Sequence, residues 1–243
     1  MHYAIILLNL VISMSLQGEF FPELEGCFSW AKGYTDSTDI NWLVQSEVKP
    51  VIFYNDKHYL SILFGVRSFV QDNPEGVIWQ VDYLQYDIDL MYRYSFRRID
   101  LIAGVLHQCR HNVDRWDGRS ETWENYYLGA QEEIRNFRGR ILIGPYTDVH
   151  KADRMWRADA RLEAIFFLSK RKPFAIKPNA EIEVLRVPER LKASPKVELA
   201  FALATRAGYI EAFAGYYNQY ELHTCNGKRT EYELLGLRFV RGF

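Results

Sequence analysis

Arg157-Ala-Asp-Ala-Arg-Leu-Glu-Ala-Ile-Phe-Phe-Leu168 decides the fold class. Its even positions are Ala158, Ala160, Leu162, Ala164, Phe166 and Leu168, and its first odd positions are Arg157, Asp159, Arg161 and Glu163. Strict alternation puts an apolar face against a charged one at period two, the repeat of a β-strand. The pattern returns on both sides of this stretch. Val197, Leu199, Phe201 and Leu203 oppose Lys196, Glu198 and Arg206; Ile210, Ala212, Ala214 and Tyr216 oppose Glu211, Gln219 and Glu221. Upstream, Leu84, Tyr86, Ile88, Leu90 and Tyr92 oppose Gln85, Asp87, Asp89 and Arg93. No stretch of any length carries a helical repeat.

A soluble β-sandwich also alternates, and the 15% aromatic content suits either fold. Two features point to a membrane barrel. The polar faces carry both signs of charge in dense rows, as in a filled or wet lumen. The connections also alternate in length: Arg97-Arg98, Asn136 to Gly139, Ser169 to Lys172 and Ala207-Gly208 are short, and between them fall Asn112 to Glu121, Thr147 to Asp153, Pro188 to Pro195 and His223 to Thr230. Short periplasmic turns and long outer loops have this rhythm.

Strands are expected near 47–55, 58–70, 77–96, 98–111, 122–136, 138–147, 154–168, 173–186, 196–206, 209–222 and 231–243. Gly26 to Tyr34 supplies one more, giving twelve, with both ends on the periplasmic side. The fold expected is all-β, a transmembrane antiparallel barrel forming a single domain over 19–243 in the bacterial outer membrane. Pro145 and Pro178 fall inside these strands, where proline removes a ladder donor and marks a bulge or a boundary. The apolar run of residues 1–16, with a polar switch at Gln17-Gly18-Glu19, reads as a signal peptide ending near residue 18. The chain closes on Leu235, Leu237, Phe239 and Phe243 on one face, which resembles the signature recognised by the barrel-assembly machinery. A net charge of −1 argues against nucleic acid as the main partner; membrane lipids are the partners expected. Three cysteines, Cys27, Cys109 and Cys225, leave at least one unpaired within the chain. Trp79, Trp116, Trp123 and Trp156 are expected in interfacial girdles. Arg157, Asp159, Arg161 and Glu163, with Glu181 and Glu183, are expected to form a salt-linked lumen.

One strand puts polar groups on its lipid face. Ile99, Leu101, Ala103 and Val105 set an apolar odd face, and His107 and Cys109 continue it; on the next strand Tyr126, Leu128 and Ala130 set an even face that includes Glu124. A charge there costs ~2–4 kcal/mol at the midplane and less near the interface. Acyl transfer would explain the three: His107 deprotonates Cys109 and Glu124 orients the imidazole. The structural alternative is that the strand has left the hydrocarbon by His107. His111 shares the face and competes as base, and a His107, His111, Asp114 metal cluster is a further reading.

Leu106-His-Gln-Cys-Arg110, Gly118-Arg-Ser120 and Thr122-Trp-Glu124 resemble the active-site hairpin of outer-membrane phospholipase A, a twelve-stranded barrel family with an outward Ser–His–Asn site. Its pattern is H-Q-S, then G-R-S, then S-W-N. The resemblance implies a phospholipase A-like lipid acyl hydrolase active as a homodimer, with His107 as base, Cys109 in the serine's place and Glu124 in the asparagine's. It also implies calcium near Asp117, Arg119 and Ser120. His107-x-Cys109-x-His111-x-x-Asp114 is similar as well to the H-x-S-x-H-x-x-D signature of an uncharacterised family of exported barrel proteins. A catalytically inactive structural or adhesive barrel and a small channel are the competing functions.

Overall fold

The computed structural model describes residues 19–20, 23–34, 42–72, 79–112, 120–150, 155–168, 173–188, 190–219 and 230–241. The expected signal segment, Cys225 and Phe243 lie outside them. Twelve long strands follow: β1 (Leu24–Tyr34), β2 (Trp42–Tyr54), β3 (His58–Asp72), β4 (Trp79–Phe96), β5 (Ile99–Asn112), β6 (Ser120–Ile134), β7 (Phe137–His150), β8 (Trp156–Ala164), β9 (Phe174–Val187), β10 (Arg190–Thr205), β11 (Gly208–Gln219) and β12 (Thr230–Arg241). Each pairs antiparallel with its sequence neighbours, and β12 pairs with β1 from Glu233↔Tyr34 to Arg241↔Gly26. The sheet therefore closes on itself and leaves no edge. The start of β1 and the end of β12 share one rim with the turns at Asn55–Lys57, Arg97-Arg98, Arg135-Asn136 and Arg206-Ala207. The ends of β5 and β6 at Asn112 and Ser120, and of β11 and β12 at Gln219 and Thr230, share the other rim, as expected.

Alternation sends the faces where the sequence places them. Leu162, Leu199, Phe201 and Ala212 point outward and exposed, while Glu198 and Glu211 are buried inside and Arg161 and Glu163 line the lumen. Among the described residues 37 large apolar side chains are exposed. A soluble monomer's largest apolar patch is roughly 300–600 Å², so an exterior of this kind is stable only against lipid.

Several boundaries differ from expectation. Pro188 to Pro195 is not a long loop: Val187 pairs with Arg190, and β10 runs straight through Pro195. Leu191, Ala193 and Val197 continue one outward register, so the ladder overrides the loop-like composition. The turn expected at Asn136 to Gly139 sits one residue earlier, because Phe137 already pairs with Ile134. Thr147 belongs to β7, which reaches His150. The strand expected at 154–168 breaks at Ile165 and resumes at Phe166–Phe167. Pro178 lies on β9 opposite that break, just before the β8 ladder begins at Asn179↔Glu163, so its missing N–H leaves no gap there. Trp123 is not in a girdle. It stands on the inner face of β6, 2% exposed, because its register is opposite to that of Glu124. Trp156 does face outward, and Trp30 and Trp42 stack at 5.1 Å near the loop rim.

The lumen is layered. Towards the loop rim lie apolar groups, with Leu43, Phe69, Tyr217 and Tyr232 in one cluster and Trp123, Tyr146 and Leu185 in another. Below them runs the expected ion-pair band. Arg157 reaches Asp159 at 3.2 Å and Glu183 at 3.5 Å, and Arg161 reaches Glu163 at 2.5 Å. On the opposite wall Glu211, wholly buried, accepts from Lys177 at 2.6 Å and Arg238 at 2.8 Å, and Arg238 also donates to Glu198.

Gly144 of β7 is required by contact. A Cβ there would stand 1.8 Å from the Tyr126 carbonyl oxygen, and backbone cannot move away as a flexible side chain can. Gly144→Ala is expected to destabilise the barrel by at least about 1–3 kcal/mol, the usual scale of overpacking. A lower temperature for the folded-to-unfolded shift on a gel run with and without heating would register it; an unchanged transition would show that β6 and β7 can separate.

Candidate active site on the outer wall

β5 and β6 position the candidate residues by register. His107 and Glu124 are direct partners in the β5–β6 ladder, and Cys109 is opposite Thr122. Directly opposed residues bring their side chains together on one face. His107 Nδ1 lies 3.4 Å from Glu124 Oε1, with the two side chains 36% and 30% exposed. The second Glu124 oxygen, Oε2, accepts from Tyr126 Oη at 3.4 Å. All three groups lie outside the barrel, where Ile99, Leu101 and Leu128 continue the same faces as an exposed apolar belt. Cys109 is half-buried on that face, and among the described residues no hydrogen bond joins it to His107. His111 stands one position further towards the loop rim, its ring edge-on to Tyr86 at 5.8 Å. The structure thus brings His107 and Glu124 into contact and leaves Cys109 as a neighbour along the strand.

The wall behind the site is a polar network that reading the outer face alone misses. Gln108, between His107 and Cys109, points inward and donates to Asp87 Oδ1 at 2.7 Å; its own carbonyl accepts from Trp123 Nε1 at 2.7 Å. Asp87 also accepts from Gln85 at 3.0 Å and pairs with Arg67 at 3.2 Å. These contacts tie β3, β4, β5 and β6 together directly behind the outer pair. Asn125, buried beside Glu124, donates to the carbonyls of Gly144 at 3.1 Å and Pro145 at 3.0 Å, where proline offers no N–H to the ladder. Between Thr122 and Glu124 the β6–β7 register shifts by one residue; such bulges re-aim side chains beside sites. The available signal was parity: the neighbours of an outward His and Glu must face inward.

The metal candidates are mostly beyond view. Asp114, Asp117 and Arg119 lie outside the described residues, and Ser120 is placed only as the partner of His111 at the start of β6. Among the described residues no group of three or more His, Cys, Asp or Glu stands together to hold a metal ion.

No protein-family model matches the sequence, and no curated protein matches it. Solved structures do. Outer membrane phospholipase A from Escherichia coli superposes with a TM-score of 0.57 at 11% identity, covering 92% of this chain and 99% of that one. The Salmonella typhi outer membrane phospholipase dimer with bound calcium gives 0.54 at 11% identity over 88% and 90%. An outer membrane channel from Pseudomonas putida F1 gives 0.55 at 13% identity over 90% and 95%. An enzyme and a channel match equally well, so the likeness is one of architecture. Fold and exterior are those of a bacterial outer-membrane β-barrel.

Proposed function

We propose that this barrel is a lipid acyl hydrolase of the outer leaflet, with its site on the outer wall at His107, Cys109 and Glu124. The observation that carries the reading is the His107–Glu124 contact on the lipid-facing surface. Two polar groups at that place have to offset a cost that no packing role requires. Glu124 accepts the Nδ1 proton and holds the imidazole so that Nε2 is free for the thiol. His107 takes the Cys109 proton, the sulfur attacks the ester carbonyl, and the C–O bond breaks as His107 returns the proton to the departing lysolipid. Water, deprotonated by His107, then attacks the thioester carbonyl, the C–S bond breaks, the fatty acid leaves and His107 returns the proton to the Cys109 sulfur. The contact is long for a hydrogen bond, and such contacts tighten when substrate is bound. Calcium in the loop beyond β5 and a dimeric active form belong to the same proposal, on the likeness to the calcium-bound dimer.

A catalytically silent structural barrel is the second reading, favoured by the missing link between Cys109 and His107. Alkylation separates the two. Purified barrel should hydrolyse phospholipid in mixed micelles and stop when its thiols are alkylated. Absence of hydrolysis by folded protein with calcium supplied would sustain the silent barrel.

A further inference from the structure

The two rims of the barrel differ in charge. In sequence, the connections at the short-turn rim, residues 55–57, 97–98, 135–136, 168–173 and 206–207, hold eight Lys or Arg against one Asp or Glu. Those at the other rim, residues 35–41, 73–78, 113–119, 151–154, 188–189 and 220–229, hold six against eight. Along the arc from the β4–β5 turn to the β10–β11 turn, Arg97, Arg98, Arg135 and Arg206 are all exposed. None of the four makes an ion pair among the described residues. The acids beside them are mostly taken: Asp100 is held by Arg93 at 3.5 Å, Glu133 by Arg138 at 3.0 Å and Glu163 by Arg161. Glu132, on the outward register of β6 opposite Ile99, has no such partner. Glu19, Glu23 and Asp56 stand at the same rim but on the β1–β3 side.

Two observations point these cations at lipid. The first is the backbone. Arg97 and Arg135 take φ of 60° and 54°, a left-handed region where Gly and Asn sit with less strain. Arginine does nothing for such a turn, so the strain points to a use for the side chain. The second is what lies beside the turns. The Arg97 guanidinium stands over the Phe96 ring at 5.3 Å, and Phe96 is 52% exposed at the foot of the outer wall. Exposed Phe137 and Phe166 meet edge-on at 5.7 Å, and exposed Phe174 continues the belt. Tyr92 Oη meets His58 Nδ1 at 2.6 Å on the same outward face. Aromatic side chains at this level mark the membrane–water interface, which puts the turn arginines at the depth of the headgroups.

We propose that the arc of Arg97, Arg98, Arg135 and Arg206 is a binding surface for anionic phospholipid headgroups of the periplasmic leaflet. A planar guanidinium fork matches the two free oxygens of a phosphodiester, and the local positive field favours a lipid of net negative charge over a zwitterionic one. A soluble acidic protein would also meet these cations, but it would not account for Arg97 lying along the lipid-facing wall. The proposal rests on the short-turn rim being periplasmic and does not depend on the chemistry of the outer wall.

The test reconstitutes the purified full-length barrel in vesicles of ether-linked phosphatidylcholine, which offers an acyl hydrolase no ester to cleave. Electron spin resonance then reads how strongly spin-labelled, ether-linked phosphatidylglycerol associates with the protein relative to the matching phosphatidylcholine. A preference of about fivefold is expected beside each arginine, the effect of one cation near an anionic surface, and of at least about twofold averaged over the perimeter. Salt at about 1 M, where the screening length falls to about 3 Å, should remove most of it. Arg97→Asn, Arg98→Gln, Arg135→Asn and Arg206→Gln combined should abolish the preference; asparagine is used at the two left-handed positions so that the turns persist. Glu132→Gln should raise it. The heat-dependent gel shift identifies folded protein, and where the combined variant fails to fold, Arg98→Gln with Arg206→Gln carries the comparison and should lower the preference. Equal association of the two lipids with the folded, unaltered barrel would overturn the proposal. So would an undiminished preference in a folded arginine variant. Capture of a polyglutamate peptide without any lipid preference would overturn it too, and would assign the arc to an acidic protein.

Discussion

His107→Ala is expected to abolish phospholipid hydrolysis, lowering kcat/KM by roughly 10²- to 10⁴-fold, the usual contribution of a positioned general base. The barrel itself should be intact, because the His107 side chain is 36% exposed and its partner Glu124 stays reachable by lipid headgroups and water. Cys109→Ser should keep part of the activity, since a hydroxyl served by the same base is a competent nucleophile. Cys109→Ala should keep none. Glu124→Gln should cost less than the loss of His107, because an amide oxygen can still accept the Nδ1 proton and hold the ring. The measurement is fatty-acid release from mixed micelles by protein whose gel mobility confirms folding. Hydrolysis unchanged in His107→Ala would remove the outer wall as the site and leave the structural barrel as the reading.

The largest expected loss of stability lies on the opposite side of the lumen. Glu211→Ala should destabilise the barrel by about 3–5 kcal/mol, because deleting one member of a buried ion network leaves buried positive charge that it had balanced. Glu211 is wholly buried between Lys177 and Arg238, so both cations lose a partner at once. Arg238 keeps Glu198, so the network loses one of its acids and not all of them. Glu211→Gln should cost less, since an amide can still accept from one of them. Glu233→Gln on the exposed outer face is the control and should change stability by no more than about 0.5 kcal/mol. Urea titration in detergent micelles reads all three. A Glu211→Ala midpoint equal to the control's would mean that water reaches these cations freely and that the network is no core.

Much of this architecture is legible because side-chain direction in a strand alternates by geometry. Once Leu162 is outside, Arg161 and Glu163 must be inside, whatever the rest of the chain does. Composition misleads where it conflicts with that rule. Tryptophan favours interfaces, yet the outward register of Glu124 turns its neighbour Trp123 into the lumen. Pro188, Ser194 and Pro195 look like loop, yet the outward register of Leu191, Ala193 and Val197 runs through them, and pairing with β9 decides.

Alternation along single strands, with the rhythm of the connections, was enough to determine the fold class, the strand total, the face of most residues singled out and the rim on which Arg97-Arg98 and Ala207-Gly208 lie. It also placed His107, Cys109 and Glu124 on one exterior. It could not determine which of them touch. A slip of two residues between β5 and β6 preserves every face and moves a side chain about 7 Å along the strand, so period two is blind to it. The closed ladder removes that freedom. With β12 paired to β1, the stagger of each strand is bound to that of all the others, and the register that results opposes His107 to Glu124 and Arg140 to Arg161. The polar network behind the site has the same origin. Asp87, Gln108 and Trp123 come from three strands, and only register through a closed wall sets them side by side.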